Sequence, residues 1–146
     1  MVNQETHVAY LSVQTHRDHP GLIRLLRSDH FPDTDSRAGG VVIWFVARFS
    51  DGDAAAMHFH ELLRHRLVDV DDGLYRVGVV EAIAALDAVG LNHRAVYISE
   101  VITDGERAAI GQRVQRLRQG RRRRYRLYQA LGVIAVLYLF LKGFLL

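Results

Sequence analysis

"GGVVIWFVARF", residues 39 to 49, is the stretch on which the fold turns. As an extended chain it is apolar on both faces, so it predicts a central strand of its sheet. Upstream, "HVAYLSVQ" (7–14) predicts a second strand. Between them, Leu22, Ile23, Leu25 and Leu26 follow Pro20 and predict a short helix, and the Asp, Pro, Ser and Gly beyond it predict an exposed loop.

Downstream, Ser50 is a good N-cap and Asp51 and Asp53 put negative charge in the first turn of a helix reaching to about Leu67. "RLVDVDDGLYRVGV" predicts a hairpin or a bulged strand around the turn signal Asp72-Gly73. A second helix covers about 79–90, with Val79, Val80, Ile83, Leu86 and Val89 on one side and Gly90 as its stop. "RAVYISEVIT" (94–103) closes the series as another strand, and Thr103 or Asp104 caps a last helix over 105–119. This order predicts an α+β fold: a small ferredoxin-like sandwich with helices on one face of a four- or five-stranded sheet.

The C-terminal part has a different chemistry. Residues 1–103 carry nine Arg against fourteen Asp and Glu, a net −5, whereas 104–146 carry nine Arg and one Lys against two acids, a net +8. From Leu127 the chain reads "LYQALGVIAVLYLFLKGFLL", with Lys142 its one charge. A helix of that length, at about 1.5 Å per residue, spans the roughly 30 Å hydrocarbon core of a bilayer. Lys142 can snorkel towards the far headgroups, and Tyr125, Tyr128 and Tyr138 suit membrane interfaces. "RLRQGRRRRYR" (116–126) stands immediately before it, and the positive-inside bias retains such a cluster in the cytoplasm. The N-terminal "MVNQETHVAYLSVQTH" has neither a basic start nor a long apolar core, so no signal peptide is expected. The expected organisation is a cytoplasmic α+β domain over 1–103, a basic juxtamembrane helix or linker over 104–126, and a C-terminal transmembrane anchor over 127–146. Eighteen of the nineteen basic residues are Arg, a bias of GC-rich bacterial genomes, which points to a bacterial inner membrane.

Arg116, Arg118, Arg121, Arg122, Arg123, Arg124 and Arg126 are the expected contacts to anionic lipid, each worth on the order of 1 kcal/mol near the surface. The cluster would also attract nucleic acid, but aromatic interleaving stops at Tyr125 and Tyr128 and no nucleic-acid motif accompanies it.

With no cysteine, the chain has no disulfides, thiolate metal sites or cysteine nucleophile. What remains is histidine and carboxylate chemistry, concentrated in "HFHELLRH" (58–65). "HELLRH" resembles the zinc-protease HExxH pattern with one residue too many, which puts His60 and His65 about 140° apart around a helix. His58 and His65 share a face but stand roughly 10.5 Å apart along the axis, too far to converge on one metal. Glu61 lies between them and could form a two-ligand site with either, completed by His16, His19 or His30 from other segments. Those six residues are the weak metal candidates. "DVDDG" (69–73) lacks the closing Glu of an EF-hand loop and reads as a turn, and no serine stands in a nucleophile-elbow context.

The targeting elements are thus better defined than the chemical ones. They predict a non-enzymatic, tail-anchored accessory protein, without cofactor, that docks on an integral membrane protein complex; self-association is compatible with the same features. The alternative is a His-dependent metal-binding or ligand-sensing domain tethered to the membrane.

Overall fold

A computed structural model describes residues 8–35 and 38–144. The N-terminal stretch 1–7, including the expected strand start at His7, the loop positions Ser36 and Arg37, and the last two residues of the apolar tail lie outside the described residues. The chain is α+β. Six strands, β1 (Ala9–His16), β2 (Ile23–Ser28), β3 (Val41–Phe49), β4 (Leu67–Asp69), β5 (Leu74–Tyr75) and β6 (His93–Ile98), form one antiparallel sheet in the order β4-β5-β2-β1-β3-β6. Three helices join them: α1 (Gly52–Leu63), α2 (Val79–Asp87) and α3 (Asp104–Phe144).

β3 lies between β1 and β6, an interior place that its two apolar faces require. Phe45, Ala47 and Phe49 point into the helix-covered core with Leu11 and Val13 of β1, and Val46 is buried on the opposite face. There Gln14 Nε2 donates to Ser12 Oγ at 2.8 Å, so the buried polar pair is partnered. β2 and β3 are parallel with β1 between them, so the 29–40 connection must return along the length of β1. Its first part lies on this second face, where Phe31 packs edge-on to Tyr10 at 5.9 Å.

The sheet has six strands where the sequence predicts four or five. The hairpin option at residues 67–75 supplies the fifth, and the sixth is β2, which replaces the short helix expected after Pro20. Pro20-Gly21 forms a turn in which Leu22 N–H donates to His19 O at 3.2 Å, with Gly21 at φ 76°. Proline followed by a residue of positive φ is the type II turn signature, and here it joins two strands. Val13 pairs with Leu25 and Gln14 with Arg24, so Ile23 and Leu25 face the core at a spacing of two. Pairing with β1 overrides the helix-like run of leucines.

α1 is also shorter than expected. Asp51, not Ser50, is its N-cap, with Oδ1 accepting from Ala54 N–H at 3.0 Å. It ends at Leu63, a 3₁₀ turn follows over Arg64–Arg66, and Leu67 is already in β4. Ala55, Phe59 and Leu63 form its buried stripe, whereas Leu62 is exposed. At "DVDDG" Asp69 Oδ1 accepts from the N–H groups of Asp71 and Asp72, which makes the turn of the β4–β5 hairpin. α2 ends at Asp87, before Gly90, and is buried nearly all round: Ile83 and Leu86 are in the core, and so are Ala82, Ala84 and Ala85. The alanines let neighbouring helices come close.

α3 begins with a capping box, the reciprocal pair in which Glu106 Oε2 accepts from Thr103 N–H at 2.9 Å while Thr103 Oγ1 accepts from Glu106 N–H at 3.3 Å. The Thr103 N–H, and then its hydroxyl, which also donates to Oε2 at 2.9 Å, hold the Glu106 carboxyl below its ordinary value. Ile110 and Val114 lie in the main core, so the first three turns of α3 are part of the body. The helix then runs unbroken through Gly120 for 41 residues, roughly 60 Å. It is the one described helix long and apolar enough to cross a membrane, and its apolar window is fully exposed.

Candidate functional site

The two stretches that stand out in the sequence, "HFHELLRH" and "RLRQGRRRRYR", meet in space. They form opposite walls of a cleft of about 560 Å³ between the end of α1 and the middle of α3. α1 and its 3₁₀ turn contribute His58, Glu61, Arg64 and His65; α3 contributes Arg116, Arg121 and Arg124. Leu62 and Leu117 make its apolar floor and continue into a smaller seam of about 250 Å³ beside Ala84 and Ala85 of α2. Gly120 faces the cleft without a side chain, so backbone is approachable there.

The wall residues come together because α1 turns its buried stripe to the sheet, which leaves the histidines and Glu61 on its outer side. α3 is placed by Ile110 and Val114 and then tied along α2 by polar contacts. Arg113 lies 3.6 Å from Glu81, and Arg118 Nη2 donates to the Asp87 carbonyl at 2.9 Å, a cation at the C-terminal end of α2. The Arg121 guanidinium passes over Gly90, where any Cβ would strike it. Asp87 is fixed in turn by His93, whose Nε2 lies 2.9 Å from Oδ1 and whose ring stacks on Phe49. His93, unlike the histidines of α1, has no pattern in the sequence around it, yet it connects α2 to β6.

The charge of the cleft is uncompensated. Three arginines, Arg64, Arg116 and Arg124, share it with one carboxylate, Glu61, while Arg121 lines its edge and carries its guanidinium over Gly90. Among the described residues none of these three has a carboxylate within 4.0 Å. Arg64 Nε instead donates to His65 Nε2 at 3.3 Å.

The weak metal candidates divide into separate places. His16 and His19 lie at the β1–β2 turn, with His16 Nδ1 3.5 Å from Asp18 Oδ2, and His30 is exposed after β2. His58, Glu61 and His65 line the cleft. Among the described residues no group of three or more His, Asp or Glu is arranged to hold a metal ion. His60 points elsewhere, its Nδ1 lying 3.3 Å from the hydroxyl of Tyr75, which burial pushes above the ordinary phenol value.

Of the expected lipid contacts, Arg116, Arg121 and Arg124 belong to the cleft and Arg118 is engaged with α2. Arg122, Arg123 and Arg126 are exposed away from it. Comparison of the chain with protein-family models, with curated proteins and with solved structures finds no match.

Proposed function

We propose that this chain is a tail-anchored, non-enzymatic accessory protein, held at the cytoplasmic face of a bacterial inner membrane and docking there on an integral membrane protein complex. The observation that carries the reading is the continuity of α3. One helix begins in the core of the body and ends in an exposed apolar segment of spanning length. A body attached in this way keeps a fixed height and orientation above the bilayer. That geometry suits a protein whose work is to present a surface at a set place. We read the body as a ferredoxin-like unit widened in the middle. β3, α1, β4, β5, α2 and β6 follow the strand-helix-strand-strand-helix-strand order, and the hairpin β1–β2 stands between β3 and β5.

The basic run 121–124, directly before the apolar segment, supports a cytoplasmic body. The test is purification of the full-length chain from its native membranes in mild detergent, with quantitative identification of what accompanies it. One integral membrane partner at fixed stoichiometry is expected. Recovery of the chain alone, or of soluble proteins only, would refute docking. Replacing Arg121, Arg122, Arg123 and Arg124 together by Glu should invert or scramble topology in a reporter fusion, and unchanged topology would refute the orientation.

A further inference from the structure

The cleft between α1 and α3 has a chemistry that the juxtamembrane run alone does not. We infer that it is a binding site for the phosphate group of an anionic phospholipid headgroup, built jointly by Arg64 from the body and by Arg116 and Arg124 from α3. This rests on the membrane reading above and adds a defined site to it.

Three observations converge. The first is the unpaired charge: Arg64, Arg116 and Arg124 line one cleft with no carboxylate within 4.0 Å of any of them among the described residues. Guanidinium groups hold phosphate oxygens through paired N–H donors, so an anionic phosphate there would relieve the mutual repulsion. The second is depth. Arg124 precedes Leu127 by three residues and Arg116 by eleven, so along the helix they stand about 4.5 Å and 16.5 Å from the apolar segment. The headgroup layer is about 5–8 Å thick on each side of the hydrocarbon core, so the lower end of the cleft is level with it. The third is the floor, where Leu62 and Leu117 continue into the seam beside Ala84 and Ala85. The cavity thus sets charged walls over an apolar base. Its volume of about 560 Å³ falls in the range of small-molecule sites.

Arg64 separates this site from general attraction of a basic run to an acidic surface. It lies more than fifty positions from the run, and only the fold brings it to the cleft.

The test uses the full-length chain in uncharged detergent. Dioctanoyl phosphatidylglycerol, dioctanoyl phosphatidylcholine and inorganic phosphate are titrated separately, with bound molecules counted by native mass spectrometry. Phosphatidylglycerol should bind at one saturable site, and phosphatidylcholine and inorganic phosphate much more weakly. Arg64→Gln and Arg116→Gln should each weaken phosphatidylglycerol about five-fold, the worth of one basic residue near a lipid surface. Arg122→Gln and Arg123→Gln remove the same charge outside the cleft, where salt screens it from the bound lipid in an uncharged micelle, and should change binding less than about two-fold. Arg64→Lys, which keeps charge but not the paired donors, should fall between and serves if Arg64→Gln does not fold. Equal losses from Arg64→Gln and Arg122→Gln, or none from Arg64→Gln, would overturn the site. Inorganic phosphate binding as tightly as the lipid would overturn the lipid as its ligand. Alkaline extraction of wild-type chain from native membranes separates the two readings: release means the anchor fails, whereas retention with an inert Arg64 means that only the cleft fails.

Discussion

Cutting the chain after residue 103, where the charge pattern changes sign, should leave a domain that does not hold together. Cutting after residue 126 should leave one that does. In the structure Ile110 and Val114 are 7% and 6% exposed and belong to the main core, against α2. Burying an aliphatic side chain stabilises by about 1.5–3 kcal/mol, so the two contribute roughly 3–6 kcal/mol. The same cut removes Arg107, whose guanidinium donates to the carbonyls of Ser99 and Ile102 at 3.4 Å, and the Arg113–Glu81 pair. Domains of this size are stable by about 5–15 kcal/mol, so the shorter chain should lose two to four powers of ten in its folding equilibrium. Urea unfolding followed by fluorescence of Trp44 reads this directly. It is the single tryptophan, half-buried, with Nε1 donating to Thr15 Oγ1 at 2.9 Å. The chain ending at 126 should unfold in one transition, and the chain ending at 103 at a much lower midpoint or without a cooperative transition. Ile110→Ala in the longer chain should cost about 2 kcal/mol, the low end for a buried aliphatic because it sits at the rim. Ala108→Ser, on the exposed side, should stay within about 0.5 kcal/mol. Equal midpoints for the two chains would refute the assignment of α3 to the body.

Phe59→Ala should cost roughly 3–5 kcal/mol in the same assay, since the ring is fully buried and meets Tyr75 edge-on at 5.2 Å. His58→Gln and His65→Gln should each stay within about 0.5 kcal/mol, and a larger loss would mean that the cleft supports the fold. His60→Ala should cost more than either, on the order of 1 kcal/mol, because the buried Tyr75 hydroxyl loses its neighbour. The start of α3 should depend on pH in one direction. The Glu106 carboxyl titrates below its ordinary value of 4.5, so its contribution is present above that value and is lost as pH falls through the lower folded one. Protection of the Glu106 and Arg107 amides, relative to the unfolded chain at the same pH, should fall at acid pH in the native chain and not in Glu106→Gln. Protection unchanged down to pH of about 3 would refute the role of the capping box.

The strands and helices carried by period were legible in the sequence, and those carried by partnership were not. β3 declares itself because apolar residues on both faces need an interior place, and α1 does so through Asp51, Asp53 and a stripe of Ala55, Phe59 and Leu63. β2 does not. "GLIRLLRS" offers leucines at both helical and extended spacing, and only its register with β1, Val13 opposite Leu25, selects the strand. A local signal was nevertheless present, because Pro20-Gly21 between two short apolar runs is a hairpin turn before it is a helix start. The end of α1 is hidden in the sequence for a related reason. "LLRHRLV" can continue a helix through Leu67, but Leu67 opposes Tyr75 in the sheet, and a residue paired with a strand cannot also extend the helix.

The site shows the same division. The histidines and arginines were conspicuous as types, but no spacing rule joins residues 58–65 to 116–124, because the contact is made by two apolar residues that look unremarkable in sequence. Within the basic segment of α3, Ile110 and Val114 are four apart and lie on one face. Their burial fixes the rotation of the helix, and the rotation decides which arginines face the body. At about 100° per residue, Arg116 and Arg124 come to the α1 side, while Arg118 turns to the end of α2 and Arg122 and Arg126 turn outwards. A run that reads as seven equivalent charges is therefore three kinds of residue. Exchanging Gln115 and Arg116 would move one guanidinium by that same angle, away from the cleft. Phosphatidylglycerol binding should then weaken as it does in Arg116→Gln, although every arginine remains in the chain. If the exchanged chain binds as the parent does, charge alone accounts for the binding and the placement of the arginines does not.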